Sequence, residues 1–326
     1  MFAYIVRRIA YAIPILLGVN LIIFALFFFV NTPDQMARNI LGDKNITQEQ
    51  IDDWKRQHNY DLPYFFNADE PIPAAFTQTI FWQKSMRLFV FDFGKSDMTN
   101  ASITSALKDR IPYSLGVTVP AFFGTIVIAI FFAMLVAFYR GTYIDFWTLI
   151  ISVFMMSVSP LFYIIVGQAI FAIKLNLVPV SGADTGLHAI KFLLLPWAIS
   201  IVAGFGAGVR YYRTVFLEEI NRDYIRTARS KGLGEGKVLF KHALKNAMLP
   251  IITNVVVRIP FLIMGSILLE NFFGIPGLGS YLIEALGQQD FAVIRSMVFV
   301  GACLYVAGLI LVDISYTLVD PRIRLK

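Results

Sequence analysis

Residues 230–250 read SKGLGEGKVLFKHALKNAMLP, and their reading decides how the rest of the chain is understood. Gly232, Gly236 and Lys237 follow one another as in a phosphate-binding loop. A Walker A loop needs G-x-x-x-x-G-K-[ST], a spacing that lets backbone N–H groups wrap the phosphates while the hydroxyl holds magnesium. Here the glycines are one residue too close, and Val238 stands where the hydroxyl belongs. No buried strand precedes them, so the stretch does not read as a nucleotide site. Its pattern is helical instead. Phe216, Ile220, Tyr224 and Ala228 recur every fourth residue, one apolar stripe on a helix, with Arg222, Arg226 and Arg229 off it. Glycines 232, 234 and 236 break that helix. A second helix carries Val238, Leu239, His242 and Ala243 on one side and is expected to end before Pro250. Helix, glycine-rich turn, helix suits a docking element, and it suits a solvated basic loop equally well.

The chain around this stretch is apolar. Of 326 residues, 57% are hydrophobic and only 15% charged, and the mean hydropathy is +0.66. Soluble domains are about a quarter charged, so the composition is that of a multispanning membrane protein. The net charge of +6 is then a topological signal rather than a nucleic-acid one. The single cysteine, Cys303, excludes an intrachain disulfide. A crossing helix needs about 20 apolar residues. Such runs lie at 9–30, 113–138, 146–174, 189–209, 250–270 and 293–317, which gives six spans. The first is too long for a signal-peptide core and has no small-residue cleavage site after it. The turn 139–145, the segment 210–249 and the tail carry the Lys and Arg excess, whereas 271–292 carries none. The positive-inside rule therefore puts both termini and the 210–249 segment in the cytoplasm.

Residues 31–111 are polar and mixed in charge, a soluble excursion that must be partly folded or functional. Within it, ITQEQIDDWKRQ (46–57) reads as a short helix, with Thr47 and Gln50 forming a capping box. The sequon matches at Asn45 and Asn100 are assigned to chance. The organisation is thus an N-terminal helix (1–30), an extracytoplasmic subdomain (31–111) and a five-span core (112–326) with its cytoplasmic loop at 214–249.

DYIRTARSKGLGEGKVLFKHALKNAMLP (223–250) resembles the cytoplasmic "EAA" loop of ATP-binding-cassette importer membrane subunits, in the form found in dipeptide, oligopeptide and nickel permeases. FDFGKSDMTNASITSALKDRIPYSL (91–115), LNLVPVSG (175–182), FGIPGLGSYLIEAL (273–286) and VDPRIR (319–324) resemble further family segments in order, so nearly the whole chain is covered. There are departures. With Gly232 on the family's glycine, Arg226, Thr227 and Ala228 fall on E-A-A, and only Ala228 matches. His242-Ala243-Leu244-Lys245 stands for I-x-L-P, and residues 65–88 are longer and more aromatic than usual.

The resemblance implies an all-α type I importer permease fold in a bacterial cytoplasmic membrane. It also implies partners: a second homologous permease, two ATPase subunits that carry ATP and magnesium, and an extracytoplasmic solute-binding protein that delivers short peptides. This chain would hold no cofactor. Tyr224, Thr227, Ala228, Arg229, Lys231, Gly232 and Leu233 would then form the coupling loop that enters a cleft of the ATPase.

Charges inside a bilayer are costly and normally face a cavity or a partner. Arg258 falls near mid-span in the fifth run, with Asn254 one turn before it on the same face. That face is expected to line the translocation path, with Arg258 holding a peptide carboxylate or a backbone carbonyl, or else pairing within the bundle or across the dimer. Gln168 is a weaker pathway candidate. Glu270, Lys174 and Asp313 are expected to reach the interface from span ends, Arg210 and Arg213 to act as topological anchors, and Gly204, Gly206 and Gly208 to allow close helix packing. An ion-coupled secondary transporter is the alternative, but it would need intramembrane acids or broken-helix ion sites, and the sequence shows only the cation Arg258 mid-span and no obvious internal repeat.

Overall fold

The computed structural model describes residues 2–42, 46–184 and 186–319. The C-terminal resemblance beyond Val319 and Asn45 of the first sequon lie outside them. Helices dominate in the order α1 (Phe2–Ala25, running on as a wide turn over Leu26–Val30), α2 (Pro33–Leu41), α3 (Gln48–His58), α4 (Ile103–Phe138), α5 (Tyr143–Ser157), α6 (Pro160–Gly167), α7 (Ala189–Ile220), α8 (Asp223–Ser230), α9 (Glu235–Val256), α10 (Ile267–Phe273), α11 (Leu278–Gln288) and α12 (Phe291–Val319). No strand occurs among the described residues.

Among the described residues, four helices are long and apolar enough to cross a membrane: α1, α4, α7 and α12. The other two expected spans are bent pairs. Tyr143–Ser157 meets Pro160–Lys174 at 90°, and Glu235–Val256 meets Pro260–Phe273 at 42°. The run at 146–174 is therefore not one straight helix. Proline disfavours helical backbone in the residue before it. Accordingly Val158 and Ser159 are extended, and the Ser159 hydroxyl accepts from the Leu161 N–H at 3.3 Å, capping α6 with Pro160 in its first turn. In the second pair the break falls at 257–259, just before Pro260. The sequence reading erred on the other proline. Pro250 sits inside α9, which begins upstream with a wide turn over Val238–Ala243.

The 31–102 segment is a folded subdomain. Thr32 and Thr47 each close a capping box, the latter as expected. Phe24, Phe28, Met36, Ile51, Trp54, Tyr60 and Ile80 form its buried core. Phe65 and Phe81 join by ring contacts 5.2 Å and 5.4 Å apart through Phe24 and each other. The unusual aromatics of 65–88 are thus packing material. The helix after the subdomain begins at Ile103, with Ser102 as its cap, about ten residues before the apolar run starts.

Helix α7 lies along α4 and α5 at very close range. A Cβ at Gly206 would stand 2.5 Å from the Ser152 carbonyl oxygen, and one at Gly208 would stand 2.7 Å from Ala129 Cβ. These glycines serve packing, as small residues do where helices approach closely. At the opposite end of the bundle from the subdomain, Asp145 accepts from Arg213 at 2.7 and 2.8 Å and from the Gly141 N–H at 3.0 Å. Arg213 is therefore an internal tie between α7 and the 139–145 turn, beyond the anchor the sequence suggested.

Candidate functional site

The 223–243 segment folds as a hairpin on α7 and α9. The apolar stripe read as one helix is split: α7 stops at Ile220, and α8 begins at Asp223. Ile225 and Ala228 of α8 bury against Val238, Leu239 and Ala243, with Tyr224 and Leu233 half-buried at the edge. Ala228 thus faces the inside of the hairpin and is no contact surface. Thr227, Arg229, Lys231 and Gly232 are exposed. Gly232 adopts φ +77 with open space around it, the left-handed turn that ends α8. Gly236, expected to break the helix, lies within α9, and Gly234 caps it. Arg229 spans the turn, donating to the Glu235 carboxylate at 2.7 and 3.1 Å. The Tyr224 hydroxyl donates to the Glu219 carboxylate. Burial, and then that carboxylate, pushes the Tyr224 phenol up to about 12. The exposed face carries Arg222, Arg226, Lys231, Lys237 and Lys241, with Phe240 prominent beside them.

A cavity of about 420 Å3 opens between α4, α7 and the α9–α10 break. Asn254 and Arg258 both line it, together with Thr118, Thr125, Ser200 and Tyr211. Arg258 stands in the non-helical break and not mid-helix. It makes no ion pair among the described residues. Gln168 is not on this cavity. Its amide donates to the carbonyls of Val180 and Phe272 at 3.0 and 3.1 Å, tying α6 to the loop after it and to α10.

The sequence reading misjudged one buried charge and missed others. Glu270 is wholly buried instead of reaching outward. Its carboxylate accepts from the backbone N–H groups of Ser266 (3.1 Å), Gly279 (2.6 Å) and Ser280 (3.1 Å). The last two are orphan donors at the start of α11. A carboxylate there satisfies them and complements the helix dipole. Side chains at Gly265 or Gly277 would collide with it. The Ser114 hydroxyl on α4 accepts from the Leu278 N–H at 2.7 Å, so the 273–280 loop is held from both sides. The glycines of FGIPGLGS were the signal that something approaches this backbone closely. Among the missed charges is Arg295 near the start of α12, 2% exposed, against the subdomain.

The arrangement is that of a polytopic helical membrane subunit: a largely apolar cavity bearing Asn254 and Arg258 at a broken helix, with a basic hairpin at one end. Residues 126–325 match the family described as binding-protein-dependent transport system inner membrane component, and residues 1–118 match its N-terminal region. The chain belongs to this family, the permease subunits of ATP-binding-cassette importers. A Brucella abortus (strain 2308) protein, provisionally named a peptide transport system permease, is 32% identical over 329 residues, covering 99% of each chain. The dipeptide transport system permease protein DppB of Alkalihalophilus pseudofirmus is 30% identical, covering 99% of this chain and all of its own. The oligopeptide transport system permease protein AppB of Bacillus subtilis is 30% identical at the same coverage. These relatives and the family favour the importer reading over an ion-coupled transporter.

Proposed function

We propose that this chain is one of two permease subunits of a peptide importer. A binding protein would deliver a short peptide to the subdomain end, and two ATPase subunits would drive the cycle from the hairpin end, where both termini lie in the cytoplasm. The observation that carries the reading is the hairpin itself. Its buried face locks α8 to the membrane helices, while its exposed face offers Arg226, Thr227, Lys231 and Gly232 to a partner. Because α8 packs on the start of α9, displacement of the hairpin reaches the α9–α10 break and the cavity at Arg258. ATP binding shifts the equilibrium between inward- and outward-open states only through a difference in affinity, and the docked hairpin supplies it. In the cavity, the unpaired guanidinium of Arg258 and the amide of Asn254 suit the carboxylate and carbonyls of a short peptide.

The test is substrate-stimulated ATPase activity of the reconstituted transporter with Gly232→Pro. Proline fixes φ near about −65°, against the +77 observed. The subunit should still insert and assemble its helices, while peptide uptake is lost and ATPase activity no longer responds to loaded binding protein. Unchanged peptide-stimulated uptake would remove the coupling role of the hairpin.

A further inference from the structure

Arg295 lies where α12 leaves the subdomain, its guanidinium 5.2 Å from the centre of the Phe28 ring. Its Nε and Nη1 meet no acceptor among the described residues. The nearby buried carboxylates take their hydrogen bonds from other donors, and Asp97 attracts the Arg295 charge without pairing with it. Asp97 accepts from the Tyr60 hydroxyl at 3.0 and 3.1 Å and from the Ala292 N–H at 3.1 Å. Asp290 accepts from the Ser96 hydroxyl and from the backbone N–H groups of Asp97 and Val293. Neither makes an ion pair with Arg295 among the described residues. A buried guanidinium with two unmatched donors is costly.

Those donors border a cavity of about 100 Å3. Lys84, Arg87 and Lys95 line it with Arg295, and Asp92 is its only acid, held 3.7 Å from Arg87. Lys84 makes no ion pair among the described residues, its ammonium resting 4.6 Å from the centre of the Tyr60 ring. Four cations thus converge on a space of roughly three water volumes. That is too small for a peptide and right for one carboxylate or phosphate group. A planar guanidinium presents parallel N–H donors matched to an oxyanion.

We propose that this cavity is a binding site for one small oxyanion, a carboxylate or phosphate group held by Arg295 and ringed by Lys84, Arg87 and Lys95. The group has two sources. It is a free anion, or it is a side-chain carboxylate of the docked binding protein; the second rests on the functional reading above. Occupied, the site would fasten the subdomain to α12.

The test uses the whole chain in lipid nanodiscs. Its thermal midpoint is titrated with sodium phosphate and, separately, sodium acetate at constant ionic strength. One of the two should give a saturable rise. Arg87→Gln with Lys95→Gln, both partners being surface-accessible, should raise the half-saturating concentration about fivefold or more, and Arg295→Gln should abolish the rise if it folds. A non-saturating response, or one identical in the double variant, overturns the site. Docking of labelled binding protein is then measured with and without saturating anion. Competition identifies the carboxylate of the docked protein as occupant, and indifference identifies the free anion. Absence of docking in both conditions would count against the importer reading alone, since the titration stands without it.

Discussion

Replacing Glu270 with glutamine should loosen the 273–280 loop before anything else in the bundle. The carboxylate takes one backbone donor on Oε1 and two on Oε2 at full burial. A carboxamide keeps one acceptor oxygen. Turned toward Gly279 and Ser280, it retains those two donors and sets its NH2 against the Ser266 N–H. One charge-assisted bond goes, at roughly 1.5–3 kcal/mol. The charge on the α11 N-terminus goes too, at about 0.3–1 kcal/mol. The unpaired Ser266 donor adds to both, so the total is about 2–5 kcal/mol. Glu270→Ala strands all three donors and should cost about 4 kcal/mol or more. The assay is the thermal midpoint of the full chain in nanodiscs. About 2 kcal/mol corresponds to a fall of roughly 3 °C in a chain of this size. A glutamine variant within about 1 °C of wild type would refute the reasoning. It would mean that the loop holds its shape without the carboxylate, and that Ser114 alone suffices.

Other consequences follow from the same geometry. Gly206→Ala should drive α7 from α5 and cost about 1–3 kcal/mol, because the added Cβ meets a carbonyl oxygen and not a yielding side chain; Gly236→Ala, in open space inside α9, should be neutral or stabilise by about 0.5–1 kcal/mol, and paired thermal melts decide both. Arg258→Ala should weaken peptide-stimulated ATPase by about tenfold or more, whereas Gln168→Ala should leave substrate response intact and lower stability only. Burial, and then Arg295, draws Lys84 down to about 8 from 10.5. Between these values the unfolded chain holds a proton that the folded subdomain has released, so stability rises with pH across the window. In phosphate-free buffer the midpoint difference between wild type and Lys84→Met should therefore shift in favour of wild type from about pH 7.5 to about pH 9.5; an unchanged difference refutes the assignment.

The membrane class, the runs of apolar sequence and the hairpin were legible because they rest on length, composition and period. The Thr47 capping box was legible because it is local. The bends were not. Pro160 and Pro260 break helices, while Pro112 and Pro250 sit inside them, and only the surrounding packing distinguishes the two cases. The start of α4 was hidden because 103–111 is polar and joins the subdomain instead of the apolar run. Asn254 and Arg258 were brought together as spacing predicted. Glu270 and Arg295 were misjudged or missed, because their burial is made by residues far off in sequence: the 277–280 backbone for one, the Phe28–Tyr60 core for the other.

The central claim is that the exposed face of α8 engages an ATPase. The most direct measurement places a cysteine at Thr227 in a Cys303→Ser background and applies a short thiol-to-amine cross-linker in native membranes. The account predicts a single major adduct with a Walker-motif ATPase, formed with Thr227→Cys and absent with a cysteine at Phe123, exposed farther along α4. If Thr227→Cys reacts freely with a soluble maleimide at all times and yields no ATPase adduct, while the transporter remains active, the hairpin is not the coupling element.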